Sequence, residues 1–384
     1  MRPIYQLGSF SLKTTVVLFF LALVAGAQSA GPATALALDR EGKLPEAVEA
    51  WRAFLKSSPN DPGAWASLGV DLSRLQLYRD AADAYRKALS LDPNLPAIQL
   101  NLGLAEFKSN NFAAAIKPLR AALAADPKNS QARTLLGLSY YGAGSFADAV
   151  NHLTIASASD PDNAELHNVL AQSCLSAKKF DCALSEFSWI LRRTPDSAAA
   201  HMLLGEALDG QGKTPEAIAE FEAAAKADPR TPNLNFGLGY LYWKLRRNDE
   251  AAQAFEKELS IDPKNAQALA YLGDVELKRE NPEKALSLLQ QALAIREDLR
   301  VAQLDLGVLL TQQKKYPEAL AALKRAAQLD PGQPEVHYRL GRLYQAMGDS
   351  QTAQQEFAEV QKLHQKAEDD IADKLSPGKP GPRQ

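Results

Sequence analysis

The sequence has few cysteines, only Cys174 and Cys182 in 384 residues. Two are too few for a disulfide framework, and their spacing fits neither a CxxC motif nor a zinc site. Lysine and arginine form no long run and the formal net charge is -3, so nothing points to nucleic acid or an anionic membrane surface. The motifs GxSxG, HExxH and GxxxxGK[ST] are also missing. We therefore predict no catalytic residue, no metal ligand and no cofactor.

No apolar run reaches the roughly 20 residues that span a bilayer as a helix. The longest run, VVLFFLALVAGA, ends at Ala27 and follows a leader that contains Arg2 and Lys13 but no acidic residue. Its last three residues form an A-x-A site of the kind that signal peptidase cleaves. We predict a signal peptide at residues 1–27 and export to the periplasm or out of the cell. The alternative is an uncleaved N-terminal membrane anchor.

A unit of 34 residues repeats from residue 28 without insertion. The units start at Gln28, Pro62, Pro96, Ser130, Ala164, Ala198, Pro232, Ala266, Arg300 and Pro334. Position 8 is glycine or alanine, position 20 is always alanine, and position 32 is mostly proline. Small residues let two helices approach closely, so we expect Gly239 to face Ala251. Proline at position 32 ends the second helix because it lacks an N–H and clashes with the preceding turn. At position 1 it should begin the first helix, as at Pro62, Pro96, Pro232 and Pro334.

The period and the spacing of these residues resemble the tetratricopeptide repeat. The second unit carries the pattern most fully, at Trp65, Leu68, Gly69, Leu72, Ala81, Tyr85, Ala88 and Pro93. The resemblance implies an all-α, right-handed superhelical solenoid of antiparallel helix pairs, with ten repeats over residues 28–365. It also implies that the first helix of each pair lines a concave groove. We expect residues 366–375 to extend the last helix as a cap and residues 376–384 to form a disordered tail.

Histidine and cysteine are the candidates for side-chain chemistry. His167, His201 and His337 all occupy position 4, where the resembling family has tryptophan, so we expect them to pack between helices. Cys174 and Cys182 lie on either side of the predicted turn in the fifth unit. They could form a disulfide in an oxidising compartment, or they could be two small buried residues.

Positions 2, 5, 9, 12 and 13 of the first helices should face the groove, as the resemblance implies. The residues predicted to contact a partner are Asn168, Gln172, Met202, Glu206, Asn233, Phe236, Tyr240, Trp243, Lys244, Tyr271, Asp274, Tyr338 and Arg342, with Asp209, Lys278 and Arg339 nearby. Phe236, Tyr240 and Trp243 are spaced i, i+4 and i+7, so they form one stripe on a helix. They could anchor a partner, or they could pack against neighbouring helices.

These features predict a non-enzymatic, exported adaptor that binds an extended segment or a helix of a partner protein in the groove. A role in assembling or organising the cell envelope would suit such a protein. One alternative is a scaffold that an uncleaved N-terminal helix tethers to the membrane. Another is a substrate-recognition arm for an enzyme or a carbohydrate-binding solenoid, since aromatic stripes also suit sugar rings.

Overall fold

The computed structural model describes residues 31–375, and these residues form twenty α-helices and no β-strand. The helices are α1 (Pro32–Arg40), α2 (Leu44–Ser57), α3 (Pro62–Arg74), α4 (Tyr78–Leu91), α5 (Pro96–Lys108), α6 (Phe112–Ala125), α7 (Ser130–Gly142), α8 (Phe146–Ser159), α9 (Ala164–Ser176), α10 (Phe180–Arg193), α11 (Ala198–Gly210), α12 (Thr214–Ala227), α13 (Leu234–Lys244), α14 (Asn248–Ile261), α15 (Ala266–Lys278), α16 (Pro282–Ile295), α17 (Arg300–Gln312), α18 (Tyr316–Leu329), α19 (Pro334–Met347) and α20 (Ser350–Leu375). The predicted all-α solenoid is confirmed. The predicted signal peptide (residues 1–27) and tail (residues 376–384) lie outside the described residues.

The chain forms two compact units, and the division between them falls within α7, after residue 135. Away from α7, each odd-numbered helix packs against the even-numbered helix that follows it. We call the odd-numbered helices first helices and the even-numbered helices second helices. Each second helix away from α7 also packs against the next first helix, so each unit is built by repeated addition of helix pairs.

A residue in the left-handed conformation reverses the chain between the two helices of a pair. In every pair before α19–α20 it is the middle residue of a three-residue turn. It is not always glycine: φ is 75° at Gly42 but also 56° at Lys178 and 62° at Glu280. After α9, the N–H of Lys179 donates to the carbonyl of Cys174 at 2.8 Å, and the N–H of Lys178 donates to Leu175 at 3.0 Å. This is a Schellman motif, which satisfies the last carbonyls of the helix while it turns the chain.

The hairpins come closest at position 8 of the unit. A Cβ atom built on Gly239 would lie 2.7 Å from two ring carbons of Phe255, which occupies position 24. Ala251 is fully buried, and the atoms that a Cβ on Gly239 would meet first belong to Phe255. In this pair the side chain at position 24 therefore lies across position 8, and a larger residue in place of Gly239 would clash with it.

Proline at position 32 marks the end of a second helix but is not required for it. Helix α18 ends at Leu329, two residues before Pro331, and the other helices with this proline end at the same distance from it. Helix α16 ends at the equivalent residue, Ile295, although its unit has Glu297 in place of proline.

The start of α13 departs from the prediction. Pro62, Pro96 and Pro334 begin their helices as expected, but Pro232 does not, because α13 starts two residues later at Leu234. Asn233 takes a left-handed conformation at the N-cap, with φ of 62°. The placement of Pro232 and Asn233 within the first helix was therefore wrong.

The last helix, α20, continues past the repeat to Leu375, so residues 366–375 are helical. Val360 and Leu363 are half-buried, whereas every residue from 364 to 372 is exposed and Ile371 keeps 57% of its surface in contact with solvent. Among the described residues, α20 thus packs on the rest of the protein only as far as about Leu363, and the helical residues after it stay exposed.

Candidate interaction surface

Helix α13 carries three aromatic side chains along one face. The ring centroids of Phe236 and Tyr240 are 6.5 Å apart, and those of Tyr240 and Trp243 are 5.6 Å apart, with both pairs stacked. Gly239 and Leu241 lie between them in sequence and are buried on the other side of the helix. All three aromatic residues are half-buried, so the stripe keeps contact with solvent along its length.

Tyr271, on the next first helix α15, lies against all three rings. Its ring centroid is 5.9 Å from that of Phe236, 5.5 Å from Tyr240 and 5.0 Å from Trp243, in edge-to-face geometry each time. Phe255 of α14 is fully buried and lies 6.0 Å from Tyr271. We call Phe236, Tyr240, Trp243 and Tyr271 the aromatic cluster. Its members pack on one another across neighbouring first helices, as one of the two interpretations expected, and they still reach solvent. That they anchor a partner stays a prediction.

Burial and polar neighbours set the electrostatics of the cluster. Burial, with Tyr240 beside it, raises the pKa of the Tyr271 hydroxyl to about 12, so that residue stays neutral. The indole N–H of Trp243 donates to the carboxylate of Asp274. Lys278 donates to the same carboxylate oxygen at 2.6 Å, and its ammonium lies 4.9 Å from the centre of the Trp243 ring. A cation already in the chain therefore occupies the face of this indole.

Helix α11 adds a second polar group on the other side of the stripe. Lys244, at the end of α13, donates to Asp209 of α11 at 2.6 Å, and Thr214 donates to the same oxygen at 2.8 Å. Glu206 is exposed, and partial desolvation raises the pKa of its carboxyl. No hydrogen bond or ion pair to Glu206 occurs within residues 31–375. Met202 packs against the same buried core as Phe236 and Trp243.

A buried carboxylate holds the N-terminus of α13 in place. Glu258 of α14 is only 2% exposed. Its two oxygens accept hydrogen bonds from the backbone N–H groups of Asn233 and Phe236, each at 3.2 Å, and Asn265 donates to it at 3.3 Å. A negative charge at this end of the helix is also favourable to the helix dipole. These hydrogen bonds hold the N-terminus of α13 and, with it, the helix that carries the three aromatic side chains.

Asp305, on α17, is a residue that the sequence did not single out. It occupies position 6, the same position as Tyr271 one unit earlier. The residue is half-buried, and its Oδ2 atom is buried without a hydrogen-bond partner. Burial, and then the charge of Asp274, raise the pKa of this carboxyl well above its usual range, although Lys278, Arg300 and Arg339 oppose the shift. Position 6 also carries Ser67, Asn101 and Arg339 in other units, so a polar residue there gave no signal in the sequence.

The other predicted residues do not join the cluster. On α9, Gln172 donates to Asn168 at 3.1 Å and accepts from Tyr141 at 2.7 Å. On α19, Tyr338 is 41% exposed, and Arg342 is exposed beside it. Within the described part of the chain, no ring contact or hydrogen bond connects these four residues to the aromatic cluster. The structure thus brings together residues of α11, α13 and α15.

The histidines at position 4 hold pairs together rather than forming a site. The Nε2 atom of His167 lies 3.0 Å from the carbonyl of Pro161, which can only accept a hydrogen bond, and Nδ1 lies 2.5 Å from Glu186. His201 and His337 repeat both contacts in their own units. Within residues 31–375 no three His, Cys, Asp or Glu side chains are grouped to hold a metal.

A disulfide joins Cys174 in α9 to Cys182 in the first turn of α10, and their Cα atoms are 5.7 Å apart. That distance is within the range that an unstrained bridge requires. The bond spans the turn of a single helix pair, beside the Schellman motif. Among the helices within residues 31–375, none has an apolar stretch suited to crossing a membrane.

Family models for tetratricopeptide repeats match most of the chain. The model for the TPR domain of cytochrome c-type biogenesis protein H matches residues 41–159. A tetratricopeptide repeat model matches residues 134–187, 175–232, 207–266 and 236–300, a TPR repeat model matches residues 307–348, and another tetratricopeptide repeat model matches residues 335–367. Comparison with curated proteins finds no match.

Solved structures show the same kind of fold. The APC/C hetero-tetramer Cut9–Hcn1 aligns with a TM-score of 0.52 at 14% identity, over 86% of this chain and 80% of that one. Two others align over shorter parts. MamA has a TM-score of 0.37 at 22% identity and covers 43% of this chain and 97% of its own. YrrB, described as a TPR protein with an unusual peptide-binding site, has a TM-score of 0.38 at 24% identity and covers 46% and 91%.

Proposed function

Because the chain belongs to the tetratricopeptide repeat family, we propose that it is a non-enzymatic scaffold that binds an extended or helical segment of a partner protein on its first helices. The aromatic cluster is the observation that carries this proposal. Large, partly exposed aromatic side chains dominate the energy of protein interfaces. Their packing on Tyr271 fixes the rings before a partner arrives, which reduces the ordering that binding requires.

The site of action that we propose is the cell envelope, reached by export of the chain. The leader and the A-x-A sequence at residues 25–27 support export. The match of residues 41–159 to a domain of a cytochrome c-type biogenesis protein is consistent with a role in assembling another protein. N-terminal sequencing of the protein from the exported fraction tests the cleavage, because a mature chain should begin at Gln28.

The binding proposal is tested by selection of short peptides from a phage-displayed library on the purified chain, with wild type and a Tyr240→Ala/Trp243→Ala double variant. We expect peptides selected on wild type to bind the variant at least about tenfold more weakly, since interface aromatics are frequent hot spots. A Gln253→Ala variant on the exposed side of α14 serves as the control and should bind like wild type.

The melting temperature of each variant shows whether the fold is retained. Some loss is expected in the double variant, because both rings pack on Tyr271. Equal binding by wild type and a folded double variant would show that the cluster is not the site. Failure of wild type to select any peptide would contradict the proposed function itself.

A further inference from the structure

On the surface that the first helices form around the aromatic cluster, the lysines have ion-pair partners but some of the acidic side chains do not. The two lysines there are already paired, Lys244 with Asp209 and Lys278 with Asp274, each at 2.6 Å. The carboxylates are more numerous than these cations. Glu206 on α11 makes no ion pair within residues 31–375, and Asp305 on α17 has a buried oxygen with no hydrogen-bond partner. The groups without a partner that flank the cluster are therefore acidic.

The arginines near Asp305 do not supply the missing partner. Arg300 lies 3.8 Å from Asp330, and Arg339 lies 2.7 Å from Glu335, so both are directed to other carboxylates. Leaving a buried carboxylate oxygen without a donor is costly. A positive charge placed beside this half-buried side chain would favour its ionised form and would offset the repulsion from Asp274.

The aromatic cluster can also bind a positively charged side chain. Lys278 shows the arrangement within the chain, with its ammonium over the Trp243 ring and its hydrogen bond to Asp274. Tyr271 and Asp305 occupy the same repeat position on neighbouring first helices, α15 and α17. Packed helix axes lie about 8–10 Å apart, which an extended chain spans in roughly three residues.

We propose that the surface between the aromatic cluster and Asp305 takes a lysine or arginine side chain of the bound segment, roughly three residues from an apolar residue that packs on the cluster. This inference rests on the proposed function and specifies the chemistry of the partner. The basic side chain contacts Asp305, and the apolar residue covers Trp243 and Tyr240. Glu206 adds a second negative group on the opposite side of the stripe.

The test uses peptides selected on the wild-type chain, each synthesised in two forms, with its basic residue and with norleucine in that place. We expect the basic form to bind at least about tenfold more tightly, in line with the strength of hydrogen bonds to charged groups. Asp305→Asn should remove this preference, and it should leave binding of the norleucine form within about twofold. Asp370→Asn, an equal charge change on the exposed part of α20, should preserve the preference.

Lys278→Gln provides a second variant that does not depend on how Asp305→Asn folds. Removal of the resident cation frees Asp274, so the basic form should bind more tightly, by about threefold or more. If the basic and norleucine forms bound wild type equally, this inference would be overturned and the proposed function would remain. The same holds if the basic form bound more tightly but neither Asp305→Asn nor Lys278→Gln changed the difference. If wild type selects no peptide at all, both proposals fail together.

Discussion

At position 4 of the unit, side chains of different chemistry make the same hydrogen bond. The indole of Trp65 donates to the carbonyl of Pro59 at 2.8 Å, and the amide of Gln303 donates to Glu297 at 3.0 Å. His167 reaches the carbonyl of Pro161 in the same way. The sequence predicted packing at this position but not the shared bond, because the pattern records residue types and not the donor that they have in common.

Asp71, on α3, is a second residue whose role only the structure shows. It is 2% exposed and accepts a hydrogen bond from the indole of Trp51 at 3.0 Å. Burial, and then the charge of Asp39, raise the pKa of its carboxyl to about 6 from 3.8. Between these two values the folded chain holds a proton that the unfolded chain has released. The free energy of unfolding should therefore fall as the pH rises through this window.

Asp71→Asn should remove this pH dependence, since asparagine keeps an oxygen for Trp51 and does not titrate. We expect the stability of the variant relative to wild type to improve by roughly 1–1.5 kcal/mol between about pH 5 and about pH 7.5, because about one pH unit of the window between the two pKa values lies in this range. Melting temperatures at both pH values measure it. A relative stability that is constant, or that is greater at the lower pH, would contradict the assignment.

Among the elements, α13 carries the candidate site and starts two residues into its unit, whereas α11 and α15 start at the first residue of theirs. The sequence predicted its aromatic stripe correctly, because the i, i+4, i+7 spacing is a local property. It did not predict the later start at Leu234, which depends on Glu258, 22 residues beyond Phe236 in the chain. A hydrogen bond between residues this far apart leaves no periodic signal. The repeat register predicted Tyr271 as a partner contact of the next unit, but its packing against the stripe was not predicted.

Glu258→Gln should loosen the start of α13 with little change in side-chain volume. The amide group has one acceptor oxygen instead of two and no negative charge, so one backbone N–H loses its partner at a positive helix end. We expect a loss of about 1–3 kcal/mol in the stability of the α13–α14 pair, measured as faster amide exchange at Phe236 and the residues after it.

The exposed Glu283 of α16 offers a matched control. Glu283→Gln makes the same chemical change at an exposed residue in the first turn of its helix, so it should alter stability by less than about 0.5 kcal/mol. If the two variants gave equal exchange rates in α13, the carboxylate of Glu258 would not be what holds this helix end.

In the molecule as a whole, stability should be distributed along the chain. Within each compact unit and away from α7, helix pairs pack mainly against their neighbours. A repeat protein of this kind gains stability from each repeat and from each contact between adjacent repeats. The sequence predicted this architecture because one short pattern recurs at a fixed period. The side chains that bridge different pairs, such as Trp243 and Lys244, vary from unit to unit, and the repeat alone could not predict their contacts.

This architecture predicts that damage to one pair stays local. In Gly341→Ala, the new Cβ would lie 2.6 Å from the ring of Phe357, which should destabilise the α19–α20 pair by about 1–3 kcal/mol. We expect amide exchange to accelerate in α19 and α20 and to stay unchanged in α13 to α15, since each pair depends chiefly on its nearest neighbours. Gly348→Ala strains the left-handed end of α19 without a steric clash, so its effect should be smaller and equally local. Equal acceleration throughout residues 136–375 would mean that this unit unfolds as one cooperative body.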